Sequence, residues 1–438
     1  MADKISDEKK KNTAGLPEST AEFRGKSRAA GARKDDRTAE HYLSGMTGIK
    51  YQDYVLEIKD LHTGFRSSIT GKYSEVLYGI DIHAERGKIL GIVGESGSGK
   101  SITMLSVMRL LGNNAEMQGE ILLNGENLLE YTEEQMRDVR GGRISMVFQD
   151  PMTALNPVYT IGNQIMEMIR RHRKDIPDAA AYAAELLELV GISDGRRRLK
   201  QYPHELSGGM RQRVVIAMAL ASDPEILIAD EPTTALDVTV QAQIIDLIKE
   251  ITKKKNMTTI IITHDLGIVA RICDNVVVLY GGRICERGTV REIFKDPRHE
   301  YTKGLIAAVP GAGAKKRLVP IEGTPVNRST MPKGCVFCPR CQKAMEICLT
   351  EHPEKAVFSD THEAYCWVNS LPEGFVPEES GREESGTEEF ITERSGLQES
   401  VPEESVQERG TSETDGTGNN EPADGSIFLE KEGTKHDR

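Results

Sequence analysis

The sequence predicts an α/β fold, a parallel sheet covered by helices and interrupted by a helical block. Three observations predict it. Short apolar runs recur at residues 88–93, 226–229 and 259–262, as strands buried on both faces require. Helical periodicity separates them, giving β-α-β alternation. From Thr160 to Ala221 the pattern is helical, and the block between Gln149 and Ala221 is long enough for an inserted subdomain.

Each element follows in order. Residues 1–50 are polar and charged with few large apolar side chains, which predicts disorder. They contain no apolar h-region, so a secretory signal is not expected. Patterned structure begins at Val55-Leu56-Glu57-Ile58. The run 88–93 is a buried strand, followed by a helix from Lys100 to about Leu111. Ile121-Leu122-Leu123 and residues 144–148 are further strands. Ile161, Ile165, Met168 and Ile169 recur at helical spacing, as do Ala183, Leu186, Leu187 and Val190, with Gly191 as a stop. A helix from about Val240 to Lys253 joins the last two apolar strands.

After Val309 the character changes. Five of the seven cysteines lie between Cys335 and Cys366, in a small unit ending near Trp367. Residues 371–438 are low in complexity, and Val-Pro-Glu-Glu-Ser occurs twice, at Val376 and Val401. This stretch reads first as a solvated linker and second as a binding tail. It holds 19 acidic and 6 basic residues, a net −13, whereas the whole chain carries −12. The remainder is therefore near neutral, and the acidity says little about the partners of the folded part. No run of 18 apolar residues occurs, so no membrane-spanning helix is expected. The organisation expected is residues 1–50 disordered, 51–310 the α/β domain with a helical subdomain at about 150–222, 311–370 a cysteine-bearing extension, and 371–438 an acidic tail.

Two motifs carry chemistry. Gly94-Glu95-Ser96-Gly97-Ser98-Gly99-Lys100-Ser101 fits G-x-x-x-x-G-K-[ST] between a predicted strand and a predicted helix. Its glycines let several N–H groups converge on one phosphate, and the helix start at Lys100-Ser101-Ile102 favours the same anion. Lys100 reaches the outer phosphates, and the Ser101 hydroxyl can ligate Mg²⁺. The bland alternative is a Gly/Ser-rich surface turn, which the flanking strand and helix disfavour. The second motif is an apolar strand ending in Asp230-Glu231. Adjacent acids at a buried strand end call for a cation or a proton. Asp230 is expected to hold Mg²⁺ and Glu231 to act as general base toward water.

Between these motifs lies Leu206-Ser207-Gly208-Gly209-Met210-Arg211-Gln212-Arg213, which resembles the signature motif of ABC ATPases, with Met210 in place of the commoner Gln. The resemblance implies a P-loop NTPase of the ABC ATPase type, with a RecA-like core, an antiparallel β region and an inserted α-helical subdomain. It implies that Ser207, Gly208 and Gly209 face the ATP of a second ATPase subunit, a copy or a paralogue, in a head-to-tail dimer. It assigns Gln149 as the Q-loop residue near Mg²⁺ and water, Asp237 to the D-loop, His264 as the switch histidine and Tyr73 as the adenine-stacking aromatic, with Tyr78 competing. Taken singly, Gln149, Asp237 and His264 also read as a strand end, a helix cap and a core or cap histidine; their order and spacing carry the assignment.

Residues 148–157, Phe-Gln-Asp-Pro-Met-Thr-Ala-Leu-Asn-Pro, and His299-Glu300-Tyr301-Thr302-Lys303-Gly304-Leu305 resemble the dipeptide, oligopeptide and nickel importer branch. That branch implies two transmembrane permease subunits, an extracytoplasmic peptide-binding protein acting indirectly, no nucleic acid, and a peripheral location on the cytoplasmic face of the cell membrane. Nickel is the alternative cargo. A soluble ABC ATPase acting on nucleic acid or the ribosome is a rival, disfavoured by the single motif set and compact insertion. An iron–sulfur redox protein is another. The branch also has a cysteine-bearing extension, here Gly334-Cys335-Val336-Phe337-Cys338-Pro339-Arg340-Cys341, with Cys348 and Cys366 beyond. The resemblance implies that Cys335, Cys341, Cys348 and Cys366 hold a [4Fe–4S] cluster, with Zn²⁺ or buried free thiols as alternatives and Cys338 as a spare ligand. Cys273 and Cys285 are expected to pack in apolar strands.

Overall fold

The computed structural model describes residues 54–234, 236–309, 320–326 and 331–370; the expectations for residues 1–50 and 371–438 lie outside the described residues. The chain starts with β1 (Tyr54–Arg66), β2 (Tyr73–Glu85) and β3 (Ile89–Val93), then α1 (Lys100–Val107), β4 (Ala115–Leu123), β5 (Glu126–Asn127) and α2 (Glu133–Val139). It continues with β6 (Ile144–Val147) and the helices α3 (Pro151–Ala154), α4 (Ile161–His172), α5 (Ala179–Leu189), α6 (Gly195–Arg198) and α7 (Gly208–Leu220). Next come β7 (Ile226–Asp230), α8 (Val238–Lys255), β8 (Thr258–Thr263), α9 (Leu266–Ile272), β9 (Asn275–Tyr280), β10 (Arg283–Thr289), α10 (Val290–Lys295) and α11 (Glu300–Ala307). The extension adds α12 (Ile347–Thr350), β11 (Ala356–Val357) and β12 (Glu363–Ala364).

Among the described residues, the large sheet runs β11-β12-β10-β9-β3-β8-β7-β6, and β9, β3, β8, β7 and β6 are mutually parallel. A second, antiparallel sheet runs β2-β1-β4-β5. The apolar strands are explained by coverage on both faces. Along β7, Ile226 and Ile228 enter the core under the antiparallel sheet, whereas Leu227 and Ala229 enter the core under the helices. That is the two-residue alternation of a strand, with no polar face left over. The helical block α3–α7 lies in sequence between β6 and β7, which pair in parallel, so it is an insertion between neighbouring strands.

Three boundaries differ from the expectation for physical reasons. Helix α1 ends at Val107, not near Leu111. Arg109 takes a left-handed φ of 48°, and the Arg140 guanidinium donates to the carbonyls of Met108 (2.7 Å) and Arg109 (3.0 Å), satisfying the helix end from outside. Helix α8 starts at Val238 because Asp237 caps it, accepting from Val240 N–H at 2.9 Å. Cys273 lies not in a strand but at the end of α9, with its sulfur beside Gly91; Cys285 is on β10 as expected. Gly191 does follow α5, with φ 79°.

The extension joins the main sheet. Strand β12 pairs antiparallel with β10, and Cys335, Val336, Phe337, Cys338 and Cys348 share a buried core with Tyr280 and Tyr301. Buried Glu286 on β10 fastens this junction, accepting from His362 Nε2 (2.7 Å) and from the backbone N–H groups of Arg298 and His299 (2.8 Å each).

Candidate active site

The carboxyl ends of four neighbouring parallel strands converge. Beyond β3 comes the phosphate loop, beyond β8 His264, at the end of β7 Asp230 and Glu231, and beyond β6 Gln149. Open α/β sheets bind ligands in this position, where strands hand over to loops and helix N-termini. The loop begins at Gly94, with φ 154°. A Cβ there would come within 2.1 Å of the Leu279 carbonyl oxygen, so the curl requires glycine. The loop closes with Thr103 N–H donating to Gly99 O at 2.9 Å, the first turn of α1. The N–H groups of Lys100, Ser101 and Ile102 therefore have no helical carbonyl behind them. The Ile102 side chain packs against the antiparallel-sheet core, leaving its backbone for a ligand. Ser98 Oγ is buried and has no hydrogen-bond partner among the described residues, a vacancy in bonding that a phosphate oxygen would fill.

Lys100 is buried, and its Nζ donates to the carbonyls of Gly94 (2.8 Å) and Glu95 (2.9 Å). Burial pushes this ammonium below its usual range, against the pull of Glu231, Asp230 and Glu95. Asp230 is also buried, and burial raises its carboxyl despite a hydrogen bond from Ser101. A divalent cation beside Asp230 and Ser101 would offset that cost, so this pair suits Mg²⁺.

Glu231 is the convergence point. Gln149 Nε2 donates to its Oε2 at 2.9 Å, Thr234 Oγ1 to the same oxygen at 3.0 Å, and His264 Nδ1 lies 3.0 Å from Oε1. Burial pushes the Glu231 carboxyl up, but the bonds from His264 and Thr234 outweigh it, leaving the group below the usual carboxylate range and ionised at neutral pH. The residue has a left-handed φ of 44°, sparsely populated for a non-glycine and held by its N–H on the Ile262 carbonyl at 2.9 Å. Sequence reasoning missed Thr234; its hydroxyl three residues after Glu231 carries no motif of its own. Gln149 is engaged with Glu231 and not with Asp230 or Ser101.

The other cradle stands apart. Ser207 is exposed and caps α7, accepting from Met210 N–H at 3.3 Å, and Gly208 and Gly209 open that helix. At Gly209 a Cβ would meet Val240 Cγ1 at 2.7 Å, so glycine also lets α7 approach α8. Among the described residues, Ser207, Gly208 and Gly209 form no hydrogen bond to the phosphate loop.

Comparison with known proteins agrees with this geometry. The family described as "ABC transporter" matches residues 77–234, and "Oligopeptide/dipeptide transporter, C-terminal region" matches residues 285–348. The oligopeptide transport ATP-binding protein OppD of Bacillus subtilis (strain 168) is 49% identical over 319 residues, covering 72% of this chain and 88% of that protein. The chain belongs to the ABC transporter ATP-binding family. The dipeptide transport ATP-binding protein DppD of the same organism is 47% identical, with 72% of this chain and 94% of that one covered. A probable peptide ABC transporter ATP-binding protein of Sinorhizobium fredii is 48% identical, with 72% and 95% covered. The protein is thus an ABC ATPase whose ligands are ATP and Mg²⁺.

In this ABC ATPase Tyr73 opens β2, exposed, with its ring over Gly64 and the Arg66 guanidinium 5.8 Å from the ring centroid. Tyr78 likewise has a guanidinium, that of Arg283, 5.0 Å from its ring centroid, and is less exposed than Tyr73. The cysteine quartet lies together in the extension. Cys335, Cys341, Cys348 and Cys366 are neighbours that feel one another's charge. Yet among the described residues no group of three or more His, Cys, Asp or Glu side chains is arranged to hold a metal ion. Burial pushes the Cys335 and Cys341 thiols up to about 12.

Proposed function

We propose that this ABC ATPase hydrolyses MgATP in a head-to-tail sandwich with a second ATPase subunit and drives a peptide importer from the cytoplasmic face of the membrane. The observation that carries the hydrolytic scheme is the Glu231 carboxylate, ionised and held by Gln149, Thr234 and His264 at the strand end beside the phosphate loop. Lys100 and the loop N–H groups neutralise charge growing on the transferred phosphoryl group. Ser101 and Asp230 would hold Mg²⁺, which would offset the negative charge of the phosphates. Glu231 takes the proton of the attacking water, with Gln149 and His264 fixing its orientation. Ser207, Gly208 and Gly209 serve the ATP of the partner subunit; exposure of this cradle and its lack of bonds to its own phosphate loop favour that reading. Tyr73 stacks on adenine, and Asp237 lies in the segment that crosses to the partner.

Peptide cargo is supported by the named activities of the relatives and by the match at residues 285–348; nickel is the alternative. Docking on two permease subunits is supported by an apolar groove of about 600 Å³ next to Gln149, lined by Met108, Leu110, Phe148, Met168, Val215 and Met218. Leu110 and Phe148 are exposed there, as an unfilled helix-in-groove site requires. Among the described residues no helix is long and apolar enough to cross a membrane, so transport needs a separate channel. Iron and zinc content of anaerobically purified protein tests for a metal on the cysteine unit. The deciding experiment for the chemistry is Glu231→Gln. The variant is expected to bind MgATP and lose about two or more decades of kcat; normal turnover would remove the base assignment.

A further inference from the structure

The phosphate loop is held from outside at its second residue. Glu95 N–H donates to Tyr301 Oη at 2.9 Å, its carbonyl accepts from Lys100, and its carboxylate takes Arg340 Nη1 at 2.7 Å. Arg340 belongs to the cysteine-bearing extension, between Cys338 and Cys341. Its side chain is only 5% exposed and its donors are nearly all used. Nη1 also reaches Tyr280 Oη (3.3 Å), Nη2 the Ile321 carbonyl (3.1 Å) and Nε the Glu322 carbonyl (2.9 Å). Tyr301 and Tyr280 are themselves fully packed, with ring centroids 4.6 Å apart.

We propose that Arg340 and Tyr301 are positioning residues for nucleotide binding, through which the extension sets the affinity of the phosphate loop. A carboxylate at the second position of a loop built for a triphosphate bears the ligand's own sign of charge. Left unpaired, Glu95 repels the phosphates and is free to swing toward them. The Arg340 fork neutralises it and holds it against the extension, and Tyr301 fixes the backbone plane from which the following N–H groups fan out. Fork geometry with several acceptors at once is what arginine supplies and lysine does not. The effect falls on the bound ground state and the transition state alike, so it belongs in KM more than in kcat.

The inference rests on the phosphate-loop reading, and the two can fail separately. Full-length protein is assayed for MgATP KM and kcat, with thermal stability followed in parallel. Arg340→Gln is expected to raise KM about tenfold or more while kcat changes less than about threefold. Arg340→Lys, keeping the charge without the fork, is expected to lie between. Tyr301→Phe is expected to raise KM several-fold. The decisive arm is Glu95→Gln combined with Arg340→Gln: removing the stranded carboxylate should return most of the lost affinity. A mere anchor for the extension would lower stability and kcat without that rescue. The proposal is overturned if Arg340→Gln leaves KM within about twofold of the parent, or if the double variant is as impaired as the single. Should the single variant not fold, the double decides alone, near-parental KM supporting the proposal and failure to fold or bind overturning it. Lys100→Ala is the control: if it retains nucleotide the loop reading falls, and if it loses nucleotide while Arg340→Gln does not, only the present proposal falls.

Discussion

Individual side chains explain why Glu231, and not its neighbour Asp230, suits the role of base. The two are adjacent, yet burial lifts Asp230 whereas His264 and Thr234 hold Glu231 down. Neighbouring groups driven in opposite directions suit different tasks, Asp230 that of a cation site and Glu231 that of a proton acceptor. A consequence is visible in the pH dependence. A depressed carboxyl keeps its base form to a pH below the ordinary carboxylate value, so the acid limb of kcat should lie low. Thr234→Val removes one depressing hydrogen bond, so that limb should move to higher pH, measured as kcat across the acid range; an unmoved limb would show that another group controls it. The resemblance to ABC ATPase motifs singled out Gln149 and His264 and the acidic strand end singled out Glu231, and the structure brings the three side chains together. Thr234 and Arg340 were not legible in the sequence, since their roles come from contacts that no local period encodes: Arg340 is 245 residues from Glu95.

Elements were legible where the apolar pattern is strong, as in β3, β7 and β8, and less so where an end is settled by a remote partner. Arg140 stops α1 from across the domain, and no cap signal near Leu111 could reveal it. Helix α10 shows the reverse, a local device recruited for a distant task. Thr289 and Glu292 form a capping box, and the same Glu292 carboxylate accepts from Ser359 (2.6 Å) and Thr361 (2.8 Å) of the extension. Burial pushes this carboxyl up, but the hydroxyl and N–H donors of Ser359, Thr289 and Thr361 prevail and hold it at about 2, against an ordinary 4.5. The stabilisation is complete above the ordinary value and is lost as the pH falls toward 2. Glu292→Gln should therefore lower the urea midpoint near neutral pH, and the gap from the parent protein should narrow as the solution is acidified. A gap constant with pH would mean that the carboxylate charge contributes nothing.

At the scale of the whole molecule, the parallel sheet and its helical insertion were anticipated, because both-face burial leaves a readable signature. The union of the extension with the sheet was not, since β11 and β12 are two residues each and too short for any period. The groove beside Gln149 is the large-scale feature with the clearest test. Met168→Glu places a charge in its apolar wall. It should leave ATP hydrolysis by the isolated subunit intact and abolish transport by the assembled complex. Loss of both, or of neither, would remove the groove as the docking surface. Phe148 borders the groove and the next residue touches Glu231, so partner and chemistry are separated by one peptide unit.

The pairing of β12 with β10 has a further meaning for the life of the chain. A row of unpaired amides along β10 would be an adhesive margin, able to recruit the same strand from another molecule. The short hairpin of β11 and β12 covers part of that margin, at Glu286 and Arg287, and its residues are translated after the strand they cover.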